Sequence, residues 1–192
     1  MEGKFLDRIA ETFNPEAPDG QTLDQVMDKV TGAVKAHSED LREEHFYLKK
    51  HWVELRDDPG FHELTFHVFN PEGEYLRFTD GQFFLGQWRY TGNKLMVGKK
   101  VNEEDDTYEA RVYELAYMDD EFFVMKVLAN PNKLVKEKES KYFFLVKEAY
   151  GRKYDWYEAT QLLFRKHQNN NQFFILVAII VLLLIALIVL LS

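Results

Sequence analysis

Few residues in this chain have the types and spacing that chemistry requires, and most of the apparent constellations come apart on geometry. The serines are Ser38, Ser140 and Ser192; none sits in a Gly-x-Ser-x-Gly elbow, and Ser140 lies inside a Lys/Glu run. There is no cysteine, which excludes a thiolate nucleophile, a CxxC redox pair, thiolate metal sites and a disulfide framework. No Gly-rich loop is present to cradle a phosphate. The run His62-Glu63-Leu64-Thr65-Phe66-His67 has one residue too many for a zinc-binding helix, and in a strand His62 and His67 point to opposite faces. His45 and His51 share a strand face, yet six residues of strand put them roughly 20 Å apart, too far for one ion. The acidic run 103–106 lacks the alternation and central glycine of a calcium loop and reads as a solvated hairpin loop. No catalytic residue, metal ligand or cofactor site follows, so an enzyme is not expected.

Binding chemistry is better represented. Arg77 and Arg111 each sit inside a strand-like run, where a guanidinium offers bidentate pairing to a carboxylate. Tyr108 and Trp88 complete the candidate ligand-anchoring set. The plainer placement, and the expected one, sets both arginines on an outer face opposite Glu63, Glu109 or Glu114, because charged residues are rarely buried without need. Nucleic acid is not an expected partner: 24 Lys+Arg against 32 Asp+Glu leave a net charge of −8, whereas phosphate backbones select basic faces.

Between residues 45 and 148, short runs rich in Phe, Tyr, Val and Thr alternate with turn chemistry, as strands do. The runs are 45–56, 61–69, 74–79, 82–90, 94–101, 107–118, 121–128 and 141–148. Asn70-Pro71-Glu72-Gly73, Asp80-Gly81, Thr91-Gly92-Asn93 and Asp119-Asp120 are among the breaks. Each connection suits a hairpin and leaves no room for a crossover helix. Eight antiparallel strands joined hairpin to hairpin make a meander, and closing it removes the exposed edges. The expected fold is mainly β with flanking α: an eight-stranded up-and-down barrel, two N-terminal helices and one C-terminal transmembrane helix.

The series Phe69-Asn70-Pro71-Glu72-Gly73-Glu74-Tyr75, Gly86-Gln87-Trp88-Arg89-Tyr90-Thr91-Gly92-Asn93-Lys94-Leu95, Tyr108-Glu109-Ala110-Arg111-Val112, Leu115, Asp119-Asp120-Glu121-Phe122 and Tyr142-Phe143-Phe144 resembles small lipocalin-like (calycin-type) domains of bacteria. His51-Trp52-Val53-Glu54-Leu55 takes the first-strand position. The resemblance covers about half of the chain and rests on turn and packing signals. It departs from true lipocalins in placing Gly-x-Trp on the fourth strand rather than the first. It implies a barrel architecture and, as an alternative function, a lipophilic small molecule or lipid in the barrel. Against a roomy cavity stand the aromatics expected to compete for the interior: Trp52, Phe66, Tyr75, Phe84, Trp88, Tyr90, Tyr108, Phe122 and Phe144. An eight-stranded barrel is just wide enough to be filled by side chains.

Outside the barrel, 4–13 places Phe5, Leu6, Ile9 and Phe13 on one helical face. A second helix is expected from Thr22 to about Glu44, opened by a Thr22–Gln25 capping box. Its Leu23, Met27, Val30, Val34, His37 and Leu41 alternate steps of four and three, which suits either packing on its own domain or a coiled-coil seam. Strands 82–90, 121–128 and 141–148 carry apolar residues on both faces, so something covers the wall. The N-terminal helices are the expected cover and a partner subunit the alternative, making Leu23, Met27, Val30, Val34, Leu41, Phe83 and Leu85 the candidate interaction surface.

Residues 173–191 are drawn only from Phe, Ile, Leu, Val and Ala. At 1.5 Å per residue they span about 28 Å, close to the hydrocarbon core of a bilayer. Mean hydropathy over the whole chain is −0.38, and it falls to about −0.8 without this block. A transmembrane tail anchor is expected, inserted after synthesis because only Ser192 follows it. Arg165, Lys166 and His167 precede it, so the positive-inside rule keeps the barrel cytoplasmic. Met1-Glu-Gly-Lys-Phe-Leu-Asp-Arg does not read as a signal peptide. Tyr150, Tyr154, Trp156 and Tyr157, with Arg165 and Lys166, make an aromatic and basic stripe suited to a helix at the membrane interface or to one packed on the barrel. Net charge runs from −6 over 1–44 through −4 over 45–148 to +2 over 149–192, a polarity suited to an anionic leaflet.

The chain thus divides into a helical arm (1–44), a barrel (45–148), a juxtamembrane helix and spacer (149–171) and an anchor (172–192). The expected function is a non-catalytic interaction or accessory module of a membrane complex, by resemblance in a bacterial inner membrane. Its partners are the bilayer and another protein or a second copy; a lipophilic ligand belongs to the alternative.

Overall fold

The computed structural model describes residues 20–58, 63–102, 107–129 and 140–191; among these, side chains are described except at 100–102, 107, 108, 129, 168–177, 184 and 186–191. The expected helix at 4–13 lies outside the described residues. Eight strands follow the turn punctuation: β1 (Trp52–Leu55), β2 (Thr65–Phe69), β3 (Glu74–Thr79), β4 (Gln82–Thr91), β5 (Lys94–Asn102), β6 (Thr107–Met118), β7 (Phe122–Ala129) and β8 (Tyr142–Lys147). They close into one barrel in sequence order, each antiparallel to its neighbours. Four residue pairs between β1 and β8, from Trp52↔Lys147 to Leu55↔Phe144, complete the circle. This is the expected up-and-down architecture, compatible with a lipocalin-like fold. The β3–β4 turn has Asp80 at φ 45° and Gly81 at φ 75°, the two left-handed residues that a tight Asp-Gly hairpin requires.

The first expected strand, 45–56, is shorter than read. Glu44–Phe46 form a 3₁₀ turn and Lys49 has φ 57°, so extended backbone begins only at Trp52. The turn has a purpose in packing. It drops Tyr47 into the barrel end, where Tyr47 meets Phe69, Trp88 and Phe123. The Trp52 indole N–H donates to the Tyr47 carbonyl at 3.1 Å, and the Tyr47 hydroxyl donates to the Leu41 carbonyl at 3.0 Å. This plugged end also carries the hairpins at 70–73, 92–93 and 119–121; the far end carries the β3–β4 turn at 80–81 and the strand ends Leu55, Thr65, Asn102, Thr107, Ala129 and Tyr142.

Alternation divides the apolar residues into two cores. Inside the barrel, Leu41, Tyr47, Trp52, Phe69, Tyr75, Trp88, Leu95, Tyr113, Phe123, Phe143 and Leu145 pack together. On the outer face of β1 and β6–β8, Val53, Leu55, Tyr117, Phe122, Val124, Phe144 and Val146 pack beneath helices. Phe66, Phe122 and Phe144, expected in the interior, therefore belong to the outer side. The strands are apolar on both faces, so composition alone does not say which face turns inward.

Helix α1 (Leu23–Val34) is capped by Thr22, whose hydroxyl accepts from the Gln25 N–H at 3.4 Å. The Gln25 side chain returns the bond to the N–H of Gln21 rather than Thr22. The helix stops ten residues before its expected end. After a 3₁₀ turn at Lys35–His37, Ser38 becomes extended, its hydroxyl accepts from the Met118 N–H at 3.0 Å, and Glu39 N–H donates to the Met118 carbonyl at 2.9 Å. Strand-like bonding to β6 replaces further helix, and Leu41 is carried into the plug.

A short helix α2 (Glu148–Gly151) and a long helix α3 (Trp156–Leu191) follow the barrel. The expected aromatic stripe, Tyr150, Tyr154, Trp156 and Tyr157, does not lie on one helix: it is broken at 152–155, next to a tight apposition in which a Cβ on Gly151 would stand 2.3 Å from the Cβ of Val53. Asp155 and Glu158 then restart the chain with a reciprocal capping box, Glu158 N–H to Asp155 at 2.8 Å and Asp155 N–H to Glu158 at 3.1 Å. Ala159, Leu163 and Phe164 of α3 pack with α1 on the outer wall. Both helices run from the far end to the plugged end, where His37 stacks on His167 at 4.6 Å. Beyond His167 the backbone of α3 continues as helix through 173–191. Among the described residues no helix is long and apolar enough to cross a membrane; the side chains of 173–177, 184 and 186–191 are not among them.

Candidate functional site

Beyond the plug, the barrel interior changes from aromatic to polar. Alternation places Glu54 on the same inward face as Trp52, and Thr65 and His67 on the same face as Phe69. Tyr75 and Arg77 follow on β3 and Arg111 and Tyr113 on β6. His67 is 2% exposed and lies between Tyr75, at 2.5 Å from Nδ1, and Glu54, at 3.1 Å from Nε2. Arg56 Nε donates to the other Glu54 oxygen at 2.7 Å.

Protonation in this chain follows from burial. Burial alone would raise the Glu54 carboxyl, but hydrogen bonds from His67 and Arg56 outweigh it and hold it at about 2. Burial pushes the His67 imidazole below its ordinary range despite Glu54 beside it, and pushes the Tyr75 hydroxyl well above its own. Glu54 is then ionised, His67 neutral and Tyr75 protonated. The Tyr75 O–H donates to Nδ1, and Nε2–H donates to Glu54. Every partner is committed, which makes a structural latch rather than an acid or base waiting for substrate.

Arg77 and Arg111 overturn the expectation that they lie on an outer face. Arg77 pairs in register with inward His67 and Phe84, and Arg111 with inward Val97. Both influence the Tyr75 hydroxyl, and the Arg77 guanidinium sits 5.1 Å from the Phe84 ring centre. Yet both are exposed. An inward residue that is exposed means that water reaches this part of the lumen. Trp88 does not join them: its indole N–H donates to the Asn70 carbonyl at 2.8 Å, near the plugged end. Tyr108 lies in β6 with its side chain outside the described residues.

The candidate interaction surface divides. Leu23, Met27, Val30, Val34 and Leu41 are at most 1% exposed, committed to the chain's own cores and closed to a partner. Phe83 and Leu85 remain 57% and 53% exposed. With Phe78 and Leu76 they form two cross-strand pairs on the outer wall of β3 and β4, Phe78↔Phe83 with ring centres 5.0 Å apart and Leu76↔Leu85. Leu85 also borders a groove of about 500 Å³ that runs to Pro71, Glu72 and Lys99.

The aromatic and basic stripe is spent on the barrel. Tyr150 packs on Phe122 and Tyr154, and its hydroxyl donates to Glu121 at 2.8 Å. Tyr154 and Trp156 pack against the outer core, and Tyr157 meets Trp156 edge-on. Lys166 reaches Asp119 at 2.8 Å and Glu121 at 2.5 Å; Arg165 is exposed. Around them, the Tyr117 hydroxyl donates to Asp119 and accepts from His167 Nε2, both at 2.6 Å. Burial, then the neighbouring His37, lowers the His167 imidazole below its usual range.

Sequence reasoning missed the Glu54–His67–Tyr75 chain. Its signal was available: Glu54 lies two residues from Trp52 and His67 two from Phe69, so any register that buries those aromatics buries these polar groups too. Among the described residues no group of three or more metal-ligating side chains occurs. No family model, curated protein or solved structure matches the chain.

Proposed function

We propose that this chain is a non-catalytic, tail-anchored membrane protein whose lipocalin-like barrel serves as an interaction module of a membrane complex. The observation that carries this reading is the bare wall. Phe78, Phe83 and Leu85 face solvent, the first two paired across the strands and Leu85 paired with the half-buried Leu76, on a barrel whose opposite wall is covered by two helices. Soluble domains rarely leave such pairs together unless something docks there. The apolar block 173–191 and the preceding Arg165, Lys166 and His167 support an anchor with the barrel on the cytoplasmic side. The bacterial inner membrane follows from the lipocalin-like resemblance. Because α3 leaves the barrel at the plugged end, that end faces the bilayer, and the bare wall is presented sideways to a neighbour in the same membrane.

The test is crosslinking of the full chain in native membranes, wild type beside Phe83→Ser/Leu85→Ser. A crosslinked species lost in the variant supports the reading; crosslinks identical in both, or none in either, end it.

A second reading is favoured by the inward placement of Arg77 and Arg111: a membrane-tethered binder that holds a lipophilic carboxylate in the far half of the lumen, its headgroup between the guanidinium groups. Solvent extraction of the purified chain followed by mass measurement tests it. The expected result is a co-purifying amphipathic acid, depleted in Arg77→Gln/Arg111→Gln. Extracts free of such a species rule it out.

A further inference from the structure

We infer that the bare wall of β3 and β4 docks against the same wall of a second copy of this chain, the two copies related by a two-fold axis that runs along the strands between β3 and β4. The inference rests on reading this wall as a docking surface and names its occupant. Three observations lead to it.

The first is register. Strands β3 and β4 turn outward, at equal heights, Phe78 beside Phe83, Leu76 beside Leu85 and Glu74 beside Gln87. A two-fold axis along the strands preserves height and exchanges the two strands. Phe78 then meets the partner's Phe83, Leu76 meets the partner's Leu85, and each contact is made twice, as in any isologous interface. The second is charge. Glu72 and Glu74 lie where β3 enters the wall, and Arg89 lies where β4 leaves it, on the outward face with Leu85 and Gln87. All three charged residues are exposed, and Glu72 and Arg89 share a groove of about 280 Å³ with Gln87 and Met96. The wall is therefore acidic along β3 and basic along β4. Exchanging the strands sets Glu72 and Glu74 of each copy against Arg89 of the other, whereas a partner surface of one sign would be repelled along one of the two strands. Exposed ion pairs add little affinity; here they fix the register and select the occupant. The third is orientation. Rotation about this axis leaves the plugged ends of both copies on the same side, as two chains held in one bilayer by α3 require. The β7–β8–β1 wall is closed to such a contact, because α1 and α3 already bury it.

The absence of cysteine makes a clean test. Thr91→Cys puts a single thiol on the exposed rim of the wall, two residues beyond Arg89 on the same face. Gly32→Cys is the control, an exposed site on α1 where an added Cβ meets nothing within 4 Å. Each full chain, in isolated native membranes, is labelled with a benzophenone maleimide and irradiated, and the products are identified by mass. The expected result is a product at twice the chain mass that contains peptides of this chain alone, in a yield at least about tenfold higher from Thr91→Cys than from Gly32→Cys, because docking holds the label against its target. Arg89→Glu in the Thr91→Cys chain brings the yield down to that of the control, and adding Glu72→Arg/Glu74→Arg to it restores the product, which a variant that had merely failed to fold could not do. Equal yields at the two positions overturn the inference, and so does a loss in Arg89→Glu that the reversed glutamates leave unrestored. A Thr91→Cys product that contains another protein overturns it too, while leaving the interaction-module reading in place. Monomer alone from both chains removes both.

Discussion

Phe144 and Phe83 are the same residue in the same kind of place, an outward-facing aromatic on a barrel strand, and they meet opposite fates. Phe144 is fully buried beneath α1 and α3, stacked on Phe122; Phe83 is 57% exposed and touches Phe78. The difference does not lie in the strands, which carry apolar residues on both faces at both sites. It lies in what the chain lays over them. On the β7–β8–β1 wall the cover is fastened by polar bonds at both ends. Asp24 and Asp28 hold α1 to Ser140, Lys141 and Tyr142, and Lys166 holds α3 to Asp119 and Glu121. On the β3–β4 wall the described residues supply neither helix nor fastening. One wall is core that happens to lie outside the barrel, and the other is surface with the composition of core.

The sharpest way to break this comparison is to place a charge on each wall. Val30→Asp puts an unpaired carboxylate beneath α1 and is expected to cost more than about 3 kcal/mol, enough to prevent folding at moderate temperature. Phe144→Ala is expected to cost about 3–5 kcal/mol. Phe83→Asp should stay within about 1 kcal/mol of wild type in urea titration. Equal losses on the two walls would mean that both are core.

The interior latch supplies the next effect. Glu54→Ala leaves the buried His67 without its acceptor and takes the same carboxylate from the exposed Arg56, at a cost of about 2–3 kcal/mol. The pH dependence has a definite sign. His67 is held below its free value, so the unfolded chain takes up its proton first as pH falls, and stability declines from about pH 6.5 downward. Glu54 is held at about 2 against an ordinary value of 4.5, so its contribution is complete above 4.5 and lost as pH falls toward 2. His67→Gln should flatten the upper part of the acid limb and Glu54→Gln the lower part, read from denaturant midpoints at a series of pH values. At the helix junction, Tyr117→Phe removes the hydroxyl shared by Asp119 and His167 and should cost about 1 kcal/mol.

How much of this was legible depended on whether local chemistry or long-range contact decided the outcome. The bounds of β3 and the end of β6 are as read, because Asn70-Pro71-Glu72-Gly73, Asp80-Gly81 and Asp119-Asp120 are local turn instructions. The end of α1 is not written locally: residues 35–44 continue a helical pattern, and only the pairing of Ser38 and Glu39 with Met118, 80 residues away, draws the backbone out of it. Arg77 and Arg111 were placed on the wrong face for a related reason. Alternation says that Arg77 shares a face with Tyr75, but not which face is inward when Leu76 and Phe78 on the other side are equally apolar. The plug was hidden too, since His45 to Lys50 read as strand until Tyr47 is seen to fill the barrel end.

The smallest expected change in stability accompanies the largest expected change in assembly. Phe83→Ser/Leu85→Ser should leave the denaturation midpoint within about 0.5 kcal/mol of wild type, since it removes exposed contacts only. The most direct measurement is therefore the intact mass of the full chain purified in mild detergent, wild type beside this double variant. Wild type is expected to carry a protein mass above the 22.8 kDa monomer and the variant to return to the monomer with its fold intact. The same assembly in both, or a bare monomer in both, would contradict that expectation.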